Sequence, residues 1–203
     1  MIEIEKKFLL TKEQQRRLLD NAQELGSAVV EDSYFDTDTF GITLKDLWFR
    51  ERDGMYELKV PLKSGTGSHT TNRYHEITDV KEIARELGLS GEGDFETKLK
   101  DAGIKKFITC FTRRASYEKQ GFHIDIDAAT YLDSPFIYAL AEIELLINSE
   151  SEADEAEQRI VEFAQSMGIA TDVVVTGKIA AYLEAEKPEH FKALVDAGVL
   201  RLA

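Results

Sequence analysis

The sequence predicts an α+β protein whose centre is an eight-stranded antiparallel β-barrel with flanking and C-terminal helices. Three observations support this prediction. About eight segments alternate apolar and polar residues with the period of a β-strand, and short turns join nearly all of them. The helical patterns lie between or after these segments, whereas a parallel sheet would require one helix after each strand. Several strands also carry two like charges two positions apart, which suits the lined interior of a barrel.

Composition and charge limit the kinds of protein that this chain can be. It has 203 residues, of which 43% are hydrophobic and 31% charged, so we expect a single domain over residues 1–203. The net charge of −13 argues against nucleic acid as a partner. The one cysteine, Cys110, excludes an internal disulfide and fits a reducing compartment. Since neither a signal peptide nor a membrane-spanning apolar run is visible, we expect a cytoplasmic monomer with no membrane partner.

Periodicity and capping signals define the elements of the first part of the chain. Residues 1–8 alternate as a strand, with Glu3, Glu5 and Lys7 on one face. Thr11 begins a potential capping box, and the apolar spacing after it predicts a helix over residues 11–24. Further strands are predicted over residues 29–37, 43–52, 56–62 and 70–78, with a hairpin turn at Asp53-Gly54 and a mobile Gly/Ser loop over residues 64–68.

The rest of the chain adds helices on both sides of a long hairpin. Aspartate caps and closing glycines predict helices over residues 79–87 and 94–102. Strands are predicted over residues 104–118, 122–131 and 136–148, and an acidic amphipathic helix over residues 151–167. Two last helices, over residues 177–186 and 188–197, form a helical tail.

The charged strand faces indicate what the barrel interior binds. Charges two residues apart occur at Glu3 and Glu5, Arg50 and Arg52, Glu57 and Lys59, Asp125 and Asp127, and Glu142 and Glu144. Such side chains lie about 6–7 Å apart on one strand face, so like charges repel unless an opposite charge lies between them. If the apolar faces pack on helices, the charged faces line the interior. A bound polyphosphate with a divalent metal ion would compensate both signs of charge.

These residues resemble the CYTH superfamily, the triphosphate tunnel metalloenzymes. The resemblance covers nearly the whole chain and runs in family order through Glu3-x-Glu5-x-Lys7, Tyr34-Phe-Asp-Thr, Leu47-Trp-Phe-Arg-Glu-Arg52, Glu57-Leu-Lys59, Tyr74-His-Glu76, Thr112-Arg-Arg114, Ile124-Asp-Ile-Asp127, Glu142-Ile-Glu144 and Gly177-Lys178. It implies a tunnel-shaped barrel that acts on triphosphate substrates with a divalent metal. Trp48, the stretch that begins at Tyr34 and the helical tail are most similar to the thiamine triphosphatase branch.

The resemblance also implies a role for each site residue. The implied metal ligands, for Mg²⁺ or alternatively Mn²⁺, are Glu3, Glu5, Asp125, Glu142 and Glu144. The implied substrate-binding residues are Lys7, Tyr34, Trp48, Arg50, Arg52, Lys59, Glu76, Arg114 and Lys178, with Trp48 stacking on the thiazolium of thiamine. Glu3, Glu5, Lys7 and Lys59 are the implied catalytic residues. Strand parity favours Arg114 over Arg113 inside the barrel, and we expect the tail helix to lie across its mouth with Lys178 reaching inside.

The function expected from this resemblance is hydrolysis of thiamine triphosphate to thiamine diphosphate and phosphate. An inorganic triphosphatase acting on tripolyphosphate is an open alternative that would not need Trp48. Two further alternatives are a class IV-type adenylyl cyclase and a polyphosphate-binding module, and the latter would not need the carboxylate pairs. No histidine has metal-ligand spacing, so a structural or exposed position is expected for His69, His75, His123 and His190.

Overall fold

A closed barrel of antiparallel strands forms the centre of the protein, as the sequence predicted. The computed structural model describes residues 2–62 and 71–200, so the predicted loop over residues 64–68 and His69 lie outside the described residues. The strands are β1 (Ile2–Phe8), β2 (Gln23–Asp36), β3 (Trp48–Arg52), β4 (Met55–Pro61), β5 (Asn72–Ile77), β6 (Lys105–Lys119), β7 (Phe122–Tyr131) and β8 (Ser134–Ile147). Their order around the barrel is β1-β5-β4-β3-β2-β6-β7-β8, and pairing of β1 with β8 closes it.

The helices lie outside the barrel wall or across one of its ends. They are α1 (Lys12–Leu19), α2 (Val80–Glu86), α3 (Phe95–Asp101), α4 (Ala153–Ser166), α5 (Lys178–Glu186) and α6 (Pro188–Asp196). The capping box predicted at Thr11 is present, and Asp53 and Gly54 both adopt positive φ in the predicted hairpin turn. In the described part of the chain, no helix combines the length and the apolar character required to cross a membrane.

Two apolar clusters cover the outer face of the barrel. In one, Ile4 and Ile143 of the wall pack with Ile160 of α4, and all three are fully buried. In the other, Leu58 of β4 packs with Ile83 of α2 and with neighbours from α3. Burial of these aliphatic side chains favours the packed barrel by roughly 1.5–3 kcal/mol each. Because successive strand residues point to opposite faces, this packing directs the charged alternate residues inward.

A third apolar cluster fills one end of the barrel interior. Tyr182 and Leu183 of α5 pack there against Ile108 and Cys110 of β6, and all four are almost completely buried. The helical tail therefore lies across one mouth of the barrel, as expected. Cys110 is a buried thiol, and burial raises its pKa to about 11, so it stays protonated and unreactive near neutral pH.

The predicted helix over residues 11–24 is too long, because β2 begins at Gln23 and α1 ends at Leu19. Leu18 is fully buried, but Leu25, which shared the helical spacing, is 47% exposed. The chain turns at Asn21 in a left-handed conformation, and Gln23 then pairs with Glu118 of β6. The backbone hydrogen bonds of this long β2–β6 ladder outweigh a helical continuation that would have no core to cover.

The strand predicted over residues 43–52 is also too long, because Thr43–Lys45 forms a 3₁₀ turn and β3 begins at Trp48. The carboxylate of the buried Asp36 accepts hydrogen bonds from the backbone N–H groups of Ile42 and Thr43, and from the Thr43 hydroxyl. Short polar side chains that bind nearby backbone donors compete with strand pairing in this way. The turn ends at Asp46, which has φ +58°.

Candidate active site

The barrel interior holds a cavity of about 330 Å³, which is large enough for a small ligand. Most of the side chains that the sequence singled out line it. They are Glu3, Glu5, Lys7, Tyr34, Trp48, Arg50, Arg52, Lys59, Glu76, Arg114, Glu142, Glu144 and Lys178. Asp125, Asp127 and Glu57 are not part of the lining, and Asp125 is almost fully buried behind Arg114.

Strand register brings these side chains into rows across the barrel wall. Trp48 lies opposite Lys59, and Lys59 lies opposite Glu76, so three strands contribute to one row. On β1, which pairs with β5, and on β8 beside it, Lys7 lies opposite Glu142 and Glu5 opposite Glu144. Cross-strand neighbours have Cβ atoms about 4.5–5.5 Å apart, close enough for their charged ends to meet.

Lys59 lies at the centre of a carboxylate cluster. Its ammonium is 2.6 Å from Glu3, 3.4 Å from Glu76 and 3.6 Å from Glu5. Lys7 also contacts Glu5 and donates a hydrogen bond of 3.0 Å to Asn72. Charges of both signs are thus held together in a buried space, where an ion of either sign would find partners.

The two N-terminal glutamates have opposite electrostatic environments. Burial raises the pKa of the Glu3 carboxyl well above its ordinary value, and the nearby Lys59 only partly offsets this. Burial acts on Glu5 in the same direction, but Lys59 and Lys7 together outweigh it and hold the pKa of Glu5 well below its ordinary value. Neighbouring carboxylates that differ in this way are typical of functional sites.

Asp32 is the anchor of a cationic group on the opposite wall. It is fully buried and accepts hydrogen bonds of 2.7 and 3.1 Å from Arg52. Lys178 of α5 donates to it over 2.9 Å and also donates to Thr112. Burial raises the pKa of Asp32, but the Arg52 hydrogen bond and the Lys178 charge reverse the shift and keep it ionised. Lys178 therefore reaches inside the barrel, as predicted, and links the tail to the wall.

Arg114 points into the barrel and Arg113 is exposed, as strand parity predicted. The Arg114 guanidinium lies 2.5 Å from Asp125, 2.6 Å from Asp127 and 2.9 Å from Glu142. Burial lowers the pKa of this guanidinium, but these carboxylates more than compensate, so it stays charged. Arg114 is thus a fixed positive charge beside the acidic residues of β7 and β8.

Two groups among the described residues have donor atoms close enough to share a metal ion. Glu3, Glu5 and Glu144 form one, and His123, Asp125 and Glu144 form the other, with donor atoms within 4.8 Å of one another in each. The chemistry of the donors fits a divalent cation, since carboxylate oxygens suit both Mg²⁺ and Mn²⁺. Asp125 Oδ2 forms an ion pair with the Arg114 guanidinium, so a metal ion at the second group would share this carboxylate with Arg114. Glu144 belongs to both groups.

Sequence reasoning missed three polar side chains of the site. His123 lies 3.1 Å from Asp125, two positions along β7, a spacing that could have identified it. Asp32 has the strand parity of Tyr34, which was also a usable signal. Asp46 accepts hydrogen bonds from Trp48 and Tyr74 at the cavity wall. Its position depends on the 3₁₀ turn, which the sequence had predicted to be a strand.

Comparisons with known proteins agree with this geometry. The thiamine-triphosphatases of Homo sapiens and Macaca fascicularis are 29% and 27% identical to the chain, over 99% and 98% of its length and 92% and 91% of theirs. A solved structure from Pyrococcus horikoshii OT3 superposes with a TM-score of 0.60 at 19% identity, covering 92% of this chain and 99% of that one. A Hippeastrum protein described as having a dominant triphosphatase activity superposes with a TM-score of 0.53 at 17% identity, covering 91% and 95%.

These two structures share the fold at low identity, and the family assignment rests on the sequence itself. The family model of the CYTH domain matches residues 1–176, which include β1 to β8, α4 and every cavity-lining strand residue. The chain therefore belongs to the CYTH domain family.

Proposed function

We propose that the chain is a metal-dependent phosphohydrolase that removes the terminal phosphate of a triphosphate substrate, with thiamine triphosphate as the preferred substrate. The observation that carries this proposal is one cavity that combines six cationic side chains, a carboxylate group suited to a metal ion, and a tryptophan. The two relatives named thiamine-triphosphatase, similar over nearly the whole chain, support the same substrate.

The cations provide the binding energy for the phosphates in this proposal. Six cationic side chains line the cavity from several strands and from α5: Lys7, Lys59, Arg50, Arg52, Arg114 and Lys178. Arginine can bind phosphate oxygens through two parallel hydrogen bonds, and lysine acts as a mobile point charge. Phosphoryl transfer depends mainly on positioning and on stabilising the charge that develops on the phosphate oxygens. Lys7 and Lys59 are assigned this second task because they lie beside the carboxylate cluster.

The carboxylates have two tasks in the proposed mechanism. Glu3, Glu5 and Glu144 would hold Mg²⁺, or alternatively Mn²⁺, with Glu142 and Asp125 adjacent. When bound, the ion neutralises negative charge on the phosphate oxygens. A glutamate of this cluster that the metal leaves free orients the attacking water and accepts its proton, which is general base catalysis.

Trp48 distinguishes the proposed substrate from inorganic tripolyphosphate. Its indole lies in the same cross-strand row as Lys59, so a ring attached to the triphosphate could stack on it while the phosphates contact the lysine. We expect Trp48→Ala to lower the ratio of kcat/KM for thiamine triphosphate over tripolyphosphate by about tenfold or more. Phosphate release from both substrates, measured with Mg²⁺ and with Mn²⁺, gives this ratio directly.

The control for this experiment is Phe107→Ala. Phe107 is a partly buried aromatic residue that packs against the third apolar cluster, which includes residues of α5, and does not line the cavity. Its ratio should equal that of the wild type. If the ratio of kcat/KM for thiamine triphosphate over tripolyphosphate is the same in the wild type and in Trp48→Ala, the inorganic triphosphatase alternative is correct. Cyclic AMP formed from ATP would instead favour the cyclase.

A further inference from the structure

Asp46 differs from the other carboxylates of the cavity in its partners. Its Oδ1 accepts hydrogen bonds of 2.9 Å from Trp48 Nε1 and 2.8 Å from the Tyr74 hydroxyl. Within residues 2–62 and 71–200 it has no ion pair. Four of the other lining carboxylates contact a lysine or arginine, and the fifth, Glu144, lies 4.0 Å from His123; the four are Glu3, Glu5, Glu76 and Glu142. Burial raises the pKa of Asp46, and the two hydrogen bonds only partly offset this. A partly buried carboxylate that has no cationic partner is stabilised in its ionised form when a ligand brings a positive charge close to it.

The surroundings of Asp46 place it beside the phosphate-binding cations and not among them. The Lys59 ammonium lies 6.0 Å from the centre of the Tyr74 ring, while the hydroxyl of the same ring points to Asp46. Trp48, the second donor to Asp46, is the cross-strand neighbour of Lys59. Two aromatic rings, Trp48 and Tyr74, therefore lie between the Asp46 carboxylate and Lys59, a cation assigned to the phosphates.

A ligand that contacts both Lys59 and Asp46 must carry charges of opposite sign at its two ends. With its phosphates at Lys59, the group attached to them would lie against Trp48 and Tyr74 and near the Asp46 carboxylate. An aromatic cation at this point gains binding free energy from the carboxylate and from the ring faces, whereas a neutral ring gains it only from stacking. A bare polyphosphate gains binding free energy from neither source.

We propose that Asp46 is a specificity-determining residue, which selects triphosphates that carry an organic cation. This inference rests on the proposed function and deepens it, because the thiazolium ring of thiamine is a permanent cation. Asp46 also orients the Trp48 indole through its hydrogen bond. Its charge, and not only this hydrogen bond, is what distinguishes the cationic substrate from a neutral or bare one.

The test is the variant Asp46→Asn, which keeps an oxygen acceptor for Trp48 and Tyr74 and removes the negative charge. We expect the ratio of kcat/KM for thiamine triphosphate over tripolyphosphate to fall by about tenfold, the usual weight of one partly buried charge pair. Trp48 is the only tryptophan in the chain, so quenching of its fluorescence reports binding at this point. Thiamine diphosphate should bind Asp46→Asn about tenfold more weakly, but its neutral analogue with a thiophene ring should bind both proteins equally.

Asp38→Asn is the matched control, because Asp38 is an exposed aspartate of the same connection that pairs with Lys105 at the surface. Its ratio and its quenching curves should match those of the wild type. The inference is overturned if Asp46→Asn keeps the wild-type ratio, or if the neutral analogue weakens as much as thiamine diphosphate. A wild type that hydrolyses tripolyphosphate but not thiamine triphosphate would instead refute the proposed substrate, and the role of Asp46 with it.

Discussion

We expect Lys59→Gln to lower kcat/KM for triphosphate hydrolysis by about 100-fold or more, the effect typical of losing one preorganised donor to developing charge. Lys59 is enclosed by Glu3, Glu5 and Glu76, all within 3.6 Å of its ammonium. Glutamine fills similar space and still donates hydrogen bonds, so the charge is the main quantity removed. Initial rates of phosphate release at several substrate concentrations measure the effect.

Removal of this cation also leaves its carboxylate partners uncompensated, so the variant needs a folding check. Circular dichroism and a thermal melt establish whether it is folded at the assay temperature. Lys105→Gln is the matched control, because Lys105 is an exposed lysine of β6 whose partner is Asp38 at the surface. A folded Lys59→Gln protein with wild-type kcat/KM would contradict the role of Lys59 in binding phosphate.

The second large effect is expected for Glu144→Gln. Glu144 is the carboxylate shared by the two groups of donor atoms that could hold a metal ion, so its removal weakens both. We expect activity at a fixed Mg²⁺ concentration to fall by about 100-fold or more, because a catalytic metal contributes several kcal/mol to transition-state stabilisation. The concentration of Mn²⁺ or Mg²⁺ needed for half-maximal activity should rise.

A readout without turnover separates metal binding from other effects of this substitution. A metal ion that binds only the folded protein raises its melting temperature, and we expect Mn²⁺ to raise that of the wild type but not that of Glu144→Gln. Glu118→Gln, at an exposed position of β6, should behave as the wild type. If Glu144→Gln retains both the metal-induced shift and full activity, the metal assignment is wrong.

The alternation of apolar and polar residues was sufficient to predict the bounds of strands whose two faces differ strongly in polarity. In β7, Ile124 and Ile126 alternate with Asp125 and Asp127, and its predicted bounds agree with the structure. The pattern failed at residues 20–25, where helical spacing and strand pairing competed. The strand pairing with β6 depends on residues about ninety positions away, which a local window does not include.

The sequence predicted which residues line the site better than it predicted which of them contact one another. Strand parity identified the inward-facing residues, including Arg114. It could not identify which charges meet, because the ion pair between Lys59 and Glu3 joins residues 56 positions apart through β1, β5 and β4. Asp46 and Asp32 were missed for a related reason, since the importance of each lies in partners on other elements.

The proposed function requires that a triphosphate binds inside the barrel, and this binding can be measured without turnover. The measurement is isothermal titration calorimetry of the wild type and of Lys59→Gln with the non-hydrolysable imido analogue of tripolyphosphate, in the presence of Mg²⁺. We predict one saturable site per chain in the wild type, and binding that is about tenfold or more weaker in Lys59→Gln. Absence of saturable binding at millimolar analogue, or equal affinity in the two proteins, would contradict the claim that the charged interior of the barrel is a triphosphate site.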